Sequence, residues 1–465
     1  MRVLIIGGGP CGLVSLRNFL DRAQFDDVQL VERRDNIGGV WYRPPSGRFG
    51  DSNWGRADQN TWASPAYPGL IGNVLPEFLS FSGQPFPPPR SGQQFPELLE
   101  TYEYLNAFAR PLFERGKIRL NHEVTRVDEV EEADGGGWRV VMTDWTAGES
   151  GVRKEEMWDA VVVTTVWFDN AYYPNVEGLD TIKETGRVRH AKTWRGPSGY
   201  EGKRVLIVGN ANSANEMAAQ VALVSQIPVY RSIRRKSIFP SLPNDRIEDI
   251  GPVVRYAHTG GKITAHTQDR TIEDLDYVLF GTGYFPDVPY LHVLEPGSPD
   301  CSEGSTRLLV PLTSRSIQPS RIPSLYRHVT YAHNPSLAFI GALVSFTPFV
   351  MADLTSTWLA LVWSGHIEIP CTIEDRLADE QVRLKKLHQR RSETDNPSDL
   401  VSFHSLGRYE LPYAKDTRAE VVSAMPEMGD VLARWDDEQD SRRFAMYATK
   451  LDSLYTLAGI EKPEA

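Results

Sequence analysis

Unbroken apolar runs that stop at glycines punctuate this chain, and two of them open the same local pattern. Val3 to Ile6 is the first, and a continuous apolar run of this kind predicts a parallel strand buried on both faces. Apolar residues then recur at helical spacing at Leu13, Leu16, Leu20 and Ala23, and Val28 to Val31 predicts a second strand. About 200 residues later the order returns. Val205 to Val208 predicts a strand, Gly209 to Ala214 a turn, Ala214 to Leu223 a helix and Pro228 to Tyr230 the next strand. The run LDYVLFGTGY at 275–284 predicts a further buried strand ending in a glycine turn.

Between and beyond these units the pattern changes. Residues 43–66 are rich in Pro, Gly, Ser and Asn without a period, and they predict surface loop. A helix is expected over 96–114 through Leu98, Leu99, Tyr102, Leu105 and Phe108. Residues 118–163 predict β structure, with Val124 to Val130 and Trp138 to Val141 flanking the EEADGGG turn and Trp158 to Val163 closing the segment. Leu337 to Trp363 is apolar, but Pro348, Asp353 and several Ser and Thr interrupt it, so a buried strand and a core helix are expected rather than a membrane span. Beyond about residue 370 the pattern is charged and helical, through Leu377, Leu384 and Leu387 and later Met428, Val431, Leu432 and Trp435. No chemistry can be attached to that part.

Composition narrows the function. A chain of 465 residues allows about two to three domains at roughly 150 residues each. The net charge of -11 argues against a nucleic-acid partner, which needs a surplus of Lys and Arg on one face. Of two short basic stretches, Arg383 to Arg391 reads as the solvated face of a helix, and Arg231 to Lys236 has a more local use. Three cysteines, at 11, 301 and 371, lie too far apart for a zinc cluster or a dithiol pair, and no metal site is expected. No apolar tail follows residue 450, so no membrane anchor and a cytoplasmic location are the expectation, and a homo-oligomer is left open.

The first turn reads GGGPCG, Gly7, Gly8, Gly9, Pro10, Cys11 and Gly12, between a strand and a helix. In this context Gly7 permits the tight turn, Gly9 lets the backbone approach a pyrophosphate, and Gly12 lets the helix pack on the strand. The pyrophosphate would sit at the helix N-terminus, where free N–H groups favour an anion. Glu32 lies twenty residues after Gly12 at the end of the second strand, where a carboxylate accepts ribose hydroxyls. The second turn, GNANSA, carries Gly209, Asn212, Ser213 and Ala214, with Ala211 in the middle glycine position. A methyl there pushes a pyrophosphate outward or tilts the loop, which weakens binding without abolishing the helix N-terminus at Ser213 and Ala214. The following strand ends in Arg231, Ser232, Arg234, Arg235 and Lys236, with no carboxylate between Ile227 and Asn244. Serine and arginines suit the 2′-phosphate of NADPH better than the 2′-hydroxyl of NADH.

The string ERRDNIGGVW, with Gly38, Gly39, Val40 and Trp41, resembles the segment that closes over FAD in flavin-containing (class B flavoprotein) monooxygenases. LIGNVLPEFLSF around Asn73, KRVLIVGNANSA, FGTGY and LYRHVTYAHNPSLAFIGAL resemble further stretches of that family in the same order, covering roughly residues 1–365. Two departures stand out. Thr164, Thr165 and Val166 replace an ATG-like turn, and ETGRVRHAKTW keeps Gly186 and His190 of the family signature but has Glu184 where an aromatic is usual. Trp194 in its last position is closer to the Baeyer–Villiger branch, whereas NANSA follows the amine- and sulfur-oxidising pattern. His190 itself reads as a linker and packing residue.

The resemblance implies an α/β fold of two doubly wound dinucleotide-binding domains. A discontinuous FAD domain is expected over 1–168 and 284–465, with a smaller NADPH domain inserted over 169–283. It implies an FAD- and NADPH-dependent monooxygenase that passes one atom of O2 to a small soft nucleophile, nitrogen or sulfur, through a flavin C4a-hydroperoxide. Asn73 is the implied flavin-facing side chain, and Val124 joins the cofactor-binding set. The alternatives are a Baeyer–Villiger enzyme or an FAD-dependent oxidase or dehydrogenase with impaired NADPH use. Phe346, Phe349, Met351 and Trp358 are candidates for a pocket floor, though core packing is the simpler reading.

Overall fold

A computed structural model describes residues 1–43, 62–90, 92–148, 150–237, 239–295, 307–312, 317–393 and 403–462. Most of the expected loop at 43–66, together with Cys301, lies outside the described residues. The helices are α1 (Pro10–Arg22), α2 (Leu98–Glu114), α3 (Leu179–Glu184), α4 (Asn212–Val221), α5 (Pro348–Trp363), α6 (Ile373–Ser392), α7 (Glu410–Ala424), α8 (Met428–Val431) and α9 (Asp437–Leu457).

Both strand-turn-helix-strand units form; the first lies on a seven-stranded sheet that is parallel except where Thr330–Tyr331 pairs antiparallel with its two neighbours, and the second lies on a five-stranded parallel sheet. In the first, Arg2–Ile6 lies between Asp27–Val31 and Ala160–Val163, and Leu337–Phe339 extends the parallel ladder. Its central strands are fully buried because helices α1, α2 and α5 cover one face and an antiparallel sheet covers the other. In the second unit Arg204–Val208 lies between Gln226–Ser232 and Tyr277–Phe280, with Ile247–Ile250 and Val188–His190 at the edges, all parallel. The chain crosses between the units twice, and the crossings pair side by side as Asn170–Ala171 with Tyr284–Phe285.

Several local expectations need correction. Trp158 to Val163 is not one strand: Val152–Trp158 ends an antiparallel ladder, Asp159 turns, and Ala160–Val163 enters the first parallel sheet. Leu99 is 56% exposed, because the buried face of α2 runs through Thr101, Tyr104, Leu105, Phe108 and Leu112. Arg383 is not on a solvated face. It pairs with Asp379 at 3.0 Å and lies over the Phe403 ring. The pattern at 428–435 yields a single helical turn, and the long C-terminal helices are α6, α7 and α9. Leu337–Phe339 and α5 form the expected strand and core helix, and no helix among the described residues is long and apolar enough to cross a membrane.

Candidate functional site

The two glycine turns open onto one cavity of about 1810 Å³. Pockets for a single small ligand hold roughly 300–1,000 Å³, so this space suits two large ligands at once. At its first end the N-terminus of α1 has no side-chain cap, Pro10 brings no N–H, and the first intrahelical bond runs from Leu13 N–H to Gly9 O at 2.9 Å. The amides of Cys11 and Gly12 precede that bond and are available to an anion. Gly9 and Gly39 approach so closely that a Cβ on Gly39 would lie 2.8 Å from Gly9 Cα. A Cβ on Gly12 would lie 1.9 Å from Gly7 O, so any side chain there would separate helix from strand.

Glu32 shapes this end as well as facing it. Its carboxylate accepts the Gly8 N–H at 2.7 Å and the Arg34 N–H at 3.0 Å, and the Arg34 guanidinium donates to Gly39 O at 2.6 Å. Turn, acid and the segment Gly39–Trp41 are thereby tied together. The helix terminus, the close glycine backbones and the buried carboxylate fit the diphosphate and ribose of a nucleotide-type flavin.

At the second end Ala211 is the N-cap of α4, as Gly9 is of α1, and both are in extended backbone that any residue adopts. Glycine at this place is therefore a matter of room beside the ligand, not of backbone conformation. Small and large residues have also traded places between the units. Gly12 faces Thr164 in the first, whereas Ala214 faces Gly281 in the second, where a Cβ would lie 2.7 Å from the Ala214 methyl. Thr164, foreign to the ATG-like turn, is accommodated by donating to Ile6 O at 2.8 Å.

Gly7, Gly9, Pro10, Cys11, Glu32, Gly39, Val40, Trp41, Asn73 and Val124 all line this cavity. So do Gly209, Asn212, Ser213, Ser232, Arg234 and Arg235. Gly8, Gly12 and Ala214 do not. Gly8 is bound to Glu32, and the other two pack against neighbouring strands. Asn73 is exposed into the cavity, while Phe349 and Met351 reach its wall from the start of α5. Trp358 is core: it is buried and donates to Glu420 at 2.8 Å.

Burial shifts two titratable groups at and beside the cavity. Burial pushes the Cys11 thiol up to about 12, so it stays protonated as packing beside Gly341. Burial lowers His190 to about 4, and its Nδ1 accepts the Lys192 N–H at 3.1 Å. His190 does not reach the cavity.

Four contributions escaped sequence reasoning. Arg34 was hidden because its closest guanidinium contact is with a backbone carbonyl, Gly39 O. Asp249 binds the Arg231 guanidinium through both oxygens at 2.7 and 2.8 Å, arriving from a neighbouring parallel strand, and it is Arg234, Arg235 and Lys236 that line the cavity. Met446 and Tyr447 bring α9 to the cavity wall. Lys450 supports the Asn73 loop from the same helix. Among the described residues no cluster of His, Cys, Asp and Glu could hold a metal ion.

Two largely parallel sheets, each leading into a helix without a side-chain cap and both facing one cavity, define an α/β protein with paired dinucleotide-binding units. Residues 1–239, slightly over half of the chain, match the family model for flavin-binding monooxygenase-like proteins, and the chain belongs to that family. It is a flavin-containing monooxygenase. The chain is 29% identical to the flavin-containing monooxygenase FMO GS-OX3 of Arabidopsis thaliana, over 80% of this chain and 75% of the relative. It is 24% identical to a thiol-specific monooxygenase of Saccharomyces cerevisiae, over 80% and 79%. The fold is similar to the solved S-allyl-L-cysteine S-oxygenase of Allium sativum, with a TM-score of 0.70, 23% identity and coverage of 97% and 98%.

Proposed function

We propose that the chain is an FAD- and NADPH-dependent monooxygenase that transfers one oxygen atom of O2 to the sulfur or nitrogen of a small molecule. One observation carries this reading: both glycine turns, Asn73 and the basic strand end Ser232 to Lys236 face a single cavity large enough for two dinucleotides. In this reading residues 1–168 and 284–465 form the discontinuous FAD domain and 169–283 the inserted NADPH domain. The relatives named for sulfur oxygenation favour sulfur over a ketone as the acceptor.

A bound flavin supplies the redox chemistry: NADPH and a proton provide the reducing equivalents, one oxygen atom goes to the acceptor's lone pair, and the other leaves as water. The protein's own groups do the rest. The α1 N-terminus holds a diphosphate, and Glu32 accepts from ribose hydroxyls while fixing Gly8 and Arg34. Ser232, Arg234 and Arg235 receive a 2′-phosphate, with Asp249 keeping Arg231 out of the way. Asn73 offers its amide where charge develops, and Phe346, Met446 and Tyr447 exclude water from the reacting end.

Rapid mixing tests the proposal. Anaerobic NADPH should bleach the flavin absorbance within seconds, and admitting O2 together with an organic sulfide should then give the oxygenated product. Flavin that ignores NADPH but is bleached by a substrate alone would replace this reading with that of an oxidase.

A further inference from the structure

Lys450 lies in α9, outside the residues matched by the family model, and is only 2% exposed. Its ammonium has three donors. Two donate to Ile71 O at 2.9 Å and Gly72 O at 3.0 Å, and the ammonium forms an ion pair with Glu216 at 2.8 Å. The second oxygen of Glu216 accepts the Tyr67 hydroxyl at 2.7 Å. One buried carboxylate thus fixes segment 67–72 at both ends, and Asn73 is the next residue.

Glu216 belongs to α4, about one turn beyond Asn212 and Ser213, which face the cavity at the second glycine turn. α4 and α9 pack together through Ala219, Leu454, Tyr455 and Ala458. A shift of α4 is therefore passed to the Asn73 loop by an ion pair and three hydrogen bonds, not by soft apolar contact. Stability is a weak account of a buried ion pair, since apolar residues of similar volume often do as well or better. A fully satisfied polar network fixes one geometry.

We propose that Glu216 and Lys450 are positioning residues that couple occupancy of the second glycine turn to the placement of Asn73 in the cavity. The proposal rests on reading that turn as a nucleotide site. Along this chain of contacts a nucleotide diphosphate settling on the α4 N-terminus sets Glu216, Glu216 sets Lys450 and Tyr67, and these set the loop; by linkage, placement of the loop favours the nucleotide equally. Asn73 would then hold its working position when the nucleotide is present.

Hydrogen–deuterium exchange on the flavin-loaded full chain, with and without NADP+, tests this without turnover. In the parent protein NADP+ should slow exchange both at 209–216 and at 70–75. In Lys450→Met the protection at 209–216 should persist while that at 70–75 falls by at least about five-fold, the lower end of usual coupling factors. The double variant Lys450→Met with Glu216→Gln removes both charges, so it should recover thermal stability yet still lack the response at 70–75. Protection confined to 209–216 in the parent overturns the coupling and leaves the nucleotide site standing. A double variant that regains the response together with its stability also overturns it, reducing the pair to a structural one. NADP+ that protects neither segment removes the nucleotide site, and the coupling with it.

Discussion

Ala211 and Gly9 occupy the same N-cap position with similar extended backbone, so the methyl on Ala211 can be judged by what it faces. It lines the cavity where a diphosphate would approach the amides of Asn212 and Ser213. Ala211→Gly should tighten NADPH by about 1 kcal/mol, roughly five-fold in affinity. Since glycine is also the better N-cap, stability should not fall. A titration of NADP+ and a melting curve check both, and weaker binding in the variant would show that the methyl is a contact rather than an obstacle. Arg234 and Arg235 make a complementary case. Both are exposed at the cavity, and no carboxylate lies near them in sequence. Replacing both by Ala should raise the KM for NADPH by at least about ten-fold, because hydrogen bonds to charged groups contribute about 1.5–3 kcal/mol each. The KM for NADH should stay unchanged. Equal losses with both nucleotides would place the 2′-phosphate elsewhere.

At the scale of elements the helix of the first unit is fastened to α5 by a buried charge cluster. Asp353 on α5 takes Arg17 at 3.1 Å and Arg22 at 3.2 Å from α1, and accepts the Ser82 N–H at 2.6 Å. Burial by itself raises the Asp353 carboxyl, but the two guanidiniums and Ser82 outweigh it and hold the group below the ordinary carboxylate range. A folded-state value below the unfolded one means that this stabilisation is present above the unfolded pKa and is lost as pH falls through the folded one. The loss should therefore begin below about pH 4, where a free carboxylate protonates. Asp353→Asn should cost about 3–5 kcal/mol at neutral pH by leaving the buried Arg22 and the half-buried Arg17 without their carboxylate, and it should flatten that acid limb in denaturant titrations. An unchanged acid limb would show that the limb belongs to other groups.

The same scale shows what a sequence can disclose. Gly7, Gly9, Gly12 and Glu32 were legible because strand, turn, helix and acid are local, and each glycine answers to a contact in the same unit. Asp249 was not, because its relation to Arg231 is set by parallel strand pairing rather than by neighbourhood. Lys450 was not, because a lone lysine in a charged helix reads as solvated until tertiary packing puts a carboxylate beside it. Trp158 and Ala160 read as one strand because apolar content continues through a turn that only sheet membership reveals.

For the whole molecule the question is whether the two units unfold together. The crossing strands Asn170–Ala171 and Tyr284–Phe285 pair with each other, and α9 reaches both the Asn73 loop and α4. Separating the units would expose the buried Lys450–Glu216 pair to water and break contacts on both sides, which favours one cooperative transition. Ligands that bind only the folded form then act on that same transition, even though they sit in different units. At about a hundred times its Kd each contributes about 2.7 kcal/mol. Unfolding entropy near 2.1 cal/mol/K per residue gives about 1 kcal/mol per kelvin for this length, so each ligand should raise the midpoint by roughly 3 °C. FAD and NADP+ together should give a single peak shifted by roughly twice that in calorimetry. Two peaks, one moved by each ligand alone, would show that the units unfold separately and that α9 is too weak a tie to carry a signal from one nucleotide to the other.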